Sequence, residues 1–290
     1  MKKIWLLWLL AFLITVFAAF YQRKTGPTNP KSVTATIAET TYMLTCPRSM
    51  ITEITPQQAQ GNWESLGKSS LLYIKTKIKK GESGLSKDTP VTLHFKRFRA
   101  KDDWQQVEGV MGANNRMEFR LPAQPPAGKI AYYLTIADTT LFQDKPIVVR
   151  FRNDVPKGIL IPHILVMFAV MLLSTFCGLL ALRNDHRWKK YAWIALATIV
   201  TGGLILGPIV QKFAFGAYWT GWPLGDDLTD TKTLVAACFW IIALIFRNKK
   251  TGRALAILAS IILLAIYSIP HSTSGSEFNY ETGQVETGIK

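Results

Sequence analysis

The stretch Ile159–Leu182, ILIPHILVMFAVMLLSTFCGLLAL, contains no Asp, Glu, Lys or Arg over 24 residues. An α-helix rises about 1.5 Å per residue, so a helix of this length crosses the roughly 30 Å hydrocarbon core of a bilayer. Thr233–Phe246 is shorter, and we expect its helix to begin earlier, within DLTDTK (227–232). The sequence predicts an integral membrane protein with five spanning helices. In chain order they are Ile4–Tyr21, Ile159–Leu182, Tyr191–Val210, Thr233–Phe246 and Ala254–Ile269.

The orientation of these helices follows from the short loops, because Lys and Arg concentrate in cytoplasmic loops. Loops 183–190 and 247–253 each carry four basic residues, and Lys2 and Lys3 precede the first helix. These clusters predict a multi-pass protein of the cell inner membrane with a cytoplasmic N-terminus. The parts predicted to be periplasmic are residues 22–157, the loop 211–233 and the tail from His271.

The first apolar stretch admits two interpretations. Residues 1–24 are predicted to be an uncleaved transmembrane anchor, because the apolar run is long for a signal peptide. A cleaved signal peptide is the alternative, with Val16–Ala18 or Ala18–Phe20 as a poor cleavage site.

The net charge of +15 does not indicate nucleic-acid binding, because no basic run is interleaved with aromatics as in a nucleic-acid groove. Much of this charge lies in topogenic loops and on the predicted external domain, where it favours anionic lipid headgroups. The partner predicted from charge is therefore the lipid bilayer and not nucleic acid.

Apolar residues alternate with polar ones along several runs between residues 32 and 153, as in Leu72–Ile78 and Val91–Phe95. Turn residues such as Lys80–Gly81 and Pro122–Gly128 separate these runs. About seven short strands of this kind predict an external antiparallel β-sandwich. The segment PPAGKIAYYLTI, Pro125–Ile136, resembles the late strand of fibronectin type III and immunoglobulin-like modules.

The predicted organisation thus has four parts. Residues 1–24 form the N-terminal anchor, and residues 32–153 form the external sandwich. Residues 157–271 form a C-terminal four-helix transmembrane bundle that carries the external loop 211–233. Residues 272–290 are rich in Ser, Thr and Gly and are predicted to be a flexible external tail.

Two of the four histidines, His163 and His271, are predicted at the outer membrane face on the first and last helices of the bundle. Imidazole is the commonest metal ligand, and polar residues at membrane depth tend to be functional. The helical stripe of His163 also holds Met167, Val170, Ser174 and Gly178, so we expect it to face protein. The alternative for each histidine is an anchor at headgroup level.

The loop between the third and fourth helices, QKFAFGAYWTGWPLGDDLTDTKT (211–233), is dense in aromatics and acids. Tyr218, Trp219 and Trp222 are candidates to stack on a porphyrin, with an interfacial aromatic belt as the alternative. Lys212 and Lys232 are candidates to pair with propionates, or else with lipid headgroups. Asp227 or Asp230 is expected to cap the N-terminus of the next helix.

This loop resembles the tryptophan-rich WWD loop of the membrane haem-handling proteins of cytochrome c biogenesis. Phe215–Gly216 stands where that family has Trp-Gly, and Pro223–Gly225 interrupts its Trp-Asp junction. The resemblance implies an external loop flanked by two haem-ligating histidines, which would be His163 and His271.

These observations predict a membrane protein that binds haem at its outer face, for haem handling or electron transfer. Partners would be other membrane or periplasmic redox or assembly proteins. The alternative is a non-catalytic assembly or scaffold subunit that presents the external sandwich. The sequence leaves open whether the protein is an enzyme.

Overall fold

The computed structural model describes residues 4–37, 39–81, 85–112, 115–270 and 275–286. The helices in these residues are α1 (Ile4–Thr25), α2 (Pro56–Ala59), α3 (Lys157–Leu182), α4 (Trp188–Ile199), α5 (Gly207–Phe215), α6 (Leu228–Ile245) and α7 (Gly252–Ser268). A π-helical segment, Val200–Leu206, joins α4 to α5 in one continuous helix.

Four helices in the described part of the chain are long and apolar enough to cross a membrane: α1, α3, the continuous helix 188–215 and α6. The helix α7 is also apolar but has 17 residues. The structure therefore has apolar helices at the five places where the sequence predicts them, and four of these are long enough to cross a membrane.

The ends of these helices have local causes. Asp227 caps α6, because its side chain accepts the Thr229 N–H, so the prediction of a start within 227–232 is confirmed. Gly216 ends α5 in the left-handed region at φ 89°, where an L side chain is disfavoured. Ile269 is extended before Pro270, as expected of a residue that precedes proline.

The first helix packs on the other helices. The Trp8 ring stacks on Phe176 of α3 with centroids 3.8 Å apart, and Ala11 and Ala18 belong to the buried cluster of the bundle. Small residues on α1 let it approach α3 and α7 closely. The sequence did not predict this packing, and the role of residues 1–24 as a membrane anchor stays a prediction.

The helices α3 and α7 are neighbours, as the sequence predicts for the first and last helices of a closed bundle. Ser260 of α7 donates a hydrogen bond to the carbonyl of Ser174 at 2.9 Å. A Cβ on Gly178 would lie 2.4 Å from the Ser260 hydroxyl oxygen, so only glycine allows this approach.

The strands between α1 and α3 form two sheets, which we call the β domain. Their bounds are β1 (Lys31–Ile37), β2 (Thr40–Cys46), β3 (Ser49–Ile51), β4 (Ser69–Lys80), β5 (Val91–Arg97), β6 (Gln105–Glu108), β7 (Val110–Gly112), β8 (Arg116–Pro122), β9 (Lys129–Ile136), β10 (Thr139–Leu141) and β11 (Ile147–Arg152). One sheet has the order β1-β2-β4-β8-β7. The other has the order β3-β11-β9-β5-β6, with β10 paired to β9. The pairs are antiparallel except β3 with β11, which is parallel.

One buried apolar cluster contains side chains from both sheets. The alternating residues of the predicted strands supply it, with Leu72, Leu93, Phe119, Tyr132 and Val149 fully buried. The period-two pattern was thus a sound guide to which residues face inward.

The described part of the C-terminal tail is folded. Gly275 precedes a hairpin of β12 (Glu277–Asn279) and β13 (Gln284–Glu286). Phe278 is buried with Ile54 and Ala123 of the β domain, and Glu277 pairs with Lys129 at 2.6 Å. The prediction of a flexible tail is corrected for these residues, because burial of Phe278 and the ion pair offset the loss of chain entropy.

Candidate functional site

A cavity of about 140 Å³ lies where the β domain meets one end of the helical bundle. Its walls come from β11, α3, the helix 188–215, the first turn of α6 and Gly275 at the start of the tail. The side chains in its wall that carry chemistry are Arg150, His163, Gln211, Phe215, Asp227 and Asp230.

The imidazole of His163 is held by the π-helical segment. Its Nδ1 lies 3.0 Å from the carbonyl oxygen of Gly202. Because a carbonyl can only accept, Nδ1 carries the proton and Nε2 of the neutral ring keeps its lone pair. π-helical turns are frequent at functional sites.

The orientation of His163 agrees with the stripe that the sequence predicts. Val170 and Ser174 are buried, and the Sδ of Met167 lies 3.9 Å from the hydroxyl oxygen of Tyr267. His271 lies outside the described residues, so the predicted pairing of His163 and His271 stays a prediction.

Two carboxylates organise the loop 211–233. Asp230 accepts the backbone N–H groups of Thr220 and Gly221 at 2.7 and 3.1 Å. Asp227 accepts from the Thr220 hydroxyl at 3.3 Å and from both the backbone N–H and the hydroxyl of Ser276, at 3.2 and 3.1 Å. The acids therefore fasten the loop to α6 and to the tail.

The aromatic candidates differ in exposure. The Trp219 indole donates to the carbonyl of Trp222 at 3.2 Å, which fixes it within the loop. The rings of Tyr218 and Trp222 are 59% and 64% exposed. These two rings are free to contact lipid, a partner or a flat ligand.

The lysine candidates are held by the protein. Lys212 donates to the carbonyl of Gly216 at 2.7 Å and lies over the Tyr218 ring at 5.3 Å. Lys232 is only 6% exposed, and its ammonium donates to the carbonyl of Ile269 at 2.9 Å. Lys232 therefore ties α6 to the end of α7 and does not face the surface where propionates were predicted.

Arg150 is a site residue that the sequence did not single out. Its side chain is 8% exposed, its guanidinium stacks on Phe215 at 4.3 Å, and Nη2 donates to the carbonyl of Ser276 at 2.5 Å. Burial lowers the pKa of Arg150 to about 10 against the opposing field of Asp227, so the group stays charged at neutral pH. An Arg in a strand is usually solvated. Nothing in the sequence indicates that the tail and α5 cover the face of β11 that carries Arg150.

The cavity is small, and a few polar groups lie among its apolar walls. Among the described residues, no group of three or more His, Cys, Asp and Glu side chains could hold a metal ion. At about 30 Å³ per water in the liquid, the space holds about five waters. A porphyrin is larger than this space.

Comparisons with known proteins give no identification. The chain matches no protein-family model, no curated protein and no solved structure. The resemblances of the loop and of the Pro125–Ile136 hairpin therefore stay predictions.

Proposed function

We propose that this protein is a multi-pass inner-membrane protein that binds a small molecule in the cavity between Arg150 and His163. In this proposal the two sheets form a periplasmic sandwich, the helices span the membrane and the N-terminus is cytoplasmic. The observation that carries the proposal is the cavity of about 140 Å³. It lies between two domains and combines apolar walls with a few polar groups, as ligand sites commonly do.

The side chains around the cavity are already held in place. Asp230 is bound by a loop amide and Asp227 by the amide of Ser276 in the tail. His163 is bound by the carbonyl of Gly202, and Arg150 by the carbonyl of Ser276. Groups fixed in advance lose little conformational entropy when a ligand binds. This pre-organisation supports a binding role.

The test is thermal unfolding of the detergent-purified full chain with a panel of small carboxylic acids, amines, amides, phosphate and haem. Ala214 lies in the cavity wall and is buried, so Ala214→Leu fills the cavity. Ala197→Leu, on an exposed position of α4, is the matched control. We expect at least one compound to raise the Tm of the wild-type protein and of Ala197→Leu, but not the Tm of Ala214→Leu.

A bound ligand stabilises the folded state by about 2.7 kcal/mol at a hundred times its Kd, which is readily measured as a Tm shift. A panel with no stabilising compound, or equal shifts in all three proteins, would refute the binding role. The assembly or scaffold subunit would then be the favoured function.

Haem is a second candidate ligand, favoured by the free Nε2 of His163. Because a porphyrin is larger than the cavity that His163 lines, it would extend beyond that cavity. A metal-ligating histidine commonly donates its other ring N–H to a carbonyl, as His163 does to Gly202. In this proposal His163 and His271 would hold the iron, and the exposed rings of Tyr218 and Trp222 would contact the porphyrin. The group would supply electron transfer or be delivered to other envelope proteins.

An absorption spectrum of the purified protein tests the haem proposal. A Soret band that is lost in His163→Ala and in His271→Ala, but kept in His94→Ala and His186→Ala, is the expected result. A folded protein that shows no Soret band after incubation with haem contradicts it.

A further inference from the structure

The guanidinium of Arg150 is a buried cation without a direct counter-ion. Among the described residues no carboxylate lies within 4 Å of it, and its Nε–H is buried without an acceptor. Within the part of the chain that the structure describes, its one hydrogen bond runs to the carbonyl of Ser276. Buried polar groups in native proteins are nearly all bonded, so an unmet donor of this kind calls for an explanation.

The carboxylates in the cavity wall are already engaged elsewhere. Asp227 accepts from Thr220, Thr229 and Ser276, and Asp230 accepts from the amides of Thr220 and Gly221. Each of these hydrogen bonds stabilises the carboxylate charge from the loop side. Arg150 feels Asp227 only through space and is left with hydrogen-bonding capacity.

We infer that the ligand of this cavity is a small monocarboxylate, whose carboxylate binds the guanidinium of Arg150. This inference rests on the proposed binding function and names the chemical class of its ligand. A planar guanidinium matches a carboxylate in shape and charge, and charge-assisted hydrogen bonds are about twice as strong as neutral ones.

The other residues of the cavity wall restrict the size and polarity of the rest of the ligand. Met167, Val210 and Ala214 present an apolar surface that fits a short carbon chain. The Nε2 of His163 accepts a hydrogen bond, so a hydroxyl on that chain has a partner. A phosphate or a dicarboxylate carries a second charge, which Asp227 and Asp230 in the same wall repel.

Lactate and lactamide are the probes, because they share shape and hydroxyl and differ in the charge of one group. Binding is measured by isothermal titration on the full chain in detergent. We expect lactate to bind at least about ten-fold more tightly than lactamide, because a hydrogen bond to a charged group is stronger than a neutral one by about 1.4 kcal/mol, which is a factor of ten in Kd. Equal affinities, or tighter binding of lactamide, would overturn the inference.

Arg150→Lys keeps the charge and removes the planar fork, and we expect it to weaken lactate binding by at least about ten-fold. Arg152→Gln, two residues along the same strand and outside the cavity wall, is the control and should leave the affinity unchanged. A folded Arg150→Lys protein with wild-type affinity for lactate also refutes the inference. If Arg150→Lys fails to fold, the comparison of the two probes on the unmodified protein decides.

The failures of the two proposals are distinguishable. If only neutral or cationic compounds stabilise the wild type and Ala214→Leu abolishes the effect, the cavity binds a ligand and the carboxylate inference is wrong. If no compound gives a Tm shift that Ala214→Leu abolishes, the binding function and the carboxylate inference are both wrong.

Discussion

At the scale of single residues, the carboxylate of Asp227 joins three parts of this molecule: the start of α6, the loop 211–233 and the C-terminal tail. Its carboxylate caps α6 through Thr229, holds the loop through Thr220 and holds the tail through Ser276. The sequence predicted the cap alone. The other two partners lie on segments whose approach to α6 is a tertiary property.

Asp227→Asn tests this role. The amide presents N–H donors to groups that are themselves donors, so we expect a loss of about 1–3 kcal/mol in the free energy of unfolding. Thermal unfolding measures the loss, and limited proteolysis should show faster cleavage of the tail near Ser276. Asp144→Asn, at an exposed position before β11, should change stability by less than about 0.5 kcal/mol. Equal effects of the two substitutions would contradict a special role for Asp227.

At the scale of elements, the π-helical segment 200–206 decides how the bundle packs at the end that meets the β domain. Pro208 follows it and lacks the N–H that would continue an α-helical ladder. The segment offers the Gly202 carbonyl to His163 and brings Gly203 against α6, where a Cβ would lie 2.5 Å from the Thr233 methyl. Small residues in such a helix allow close contact in place of a hydrophobic driving force.

Gly203→Ala should therefore be overpacked and lose about 1–3 kcal/mol of stability. Thr233→Ser removes the methyl group and keeps the hydroxyl that donates to the carbonyl of Thr229, so the double variant should regain part of the loss. The unfolding free energies of the four proteins in detergent give the coupling. Gly158→Ala, with no atom within 4 Å of the added Cβ, is the control for a glycine-to-alanine change in a helix. Additive effects of Gly203→Ala and Thr233→Ser would show that the two sites do not touch.

At the scale of the whole molecule, the two sheets have a buried core of their own, and all residues of that cluster fall between Ala35 and Phe151. The bundle has a separate cluster. The cavity, Arg150 and the C-terminal hairpin lie between them. The molecule is therefore two packed units joined by a polar junction.

An excised segment from Ser32 to Asn153 should accordingly fold alone. We expect circular dichroism typical of β-structure and a cooperative melt, because the sheet core is complete within the segment. The melt should lie below that of the same domain in the full chain, since Phe278 no longer covers Ile54 and Ala123. A helical or unfolded spectrum would refute independent folding.

The proposed orientation in the membrane is tested by cysteine labelling in intact spheroplasts, in a Cys238→Ser background because that native thiol is exposed. Ser86→Cys and Thr282→Cys lie at exposed positions and should react with an impermeant reagent, whereas Asn248→Cys should not. Ser276, the natural choice in the tail, is 1% exposed and would not report. If only Asn248→Cys is labelled, the orientation in the membrane is the opposite of the one proposed.

The sequence by itself determined the places of the helices, the start of α6 and the inward residues of the strands. Each of these depends on local properties, namely the length of an apolar run, a capping side chain and the period of alternation. The tertiary structure alone decided that α1 packs on α3, that the tail folds and that Arg150 is buried. Arg150 meets Ser276 across 126 residues of chain and Asp227 meets Ser276 across 49. No local pattern encodes which distant segment will cover a charged side chain, because that depends on how the two units pack against each other.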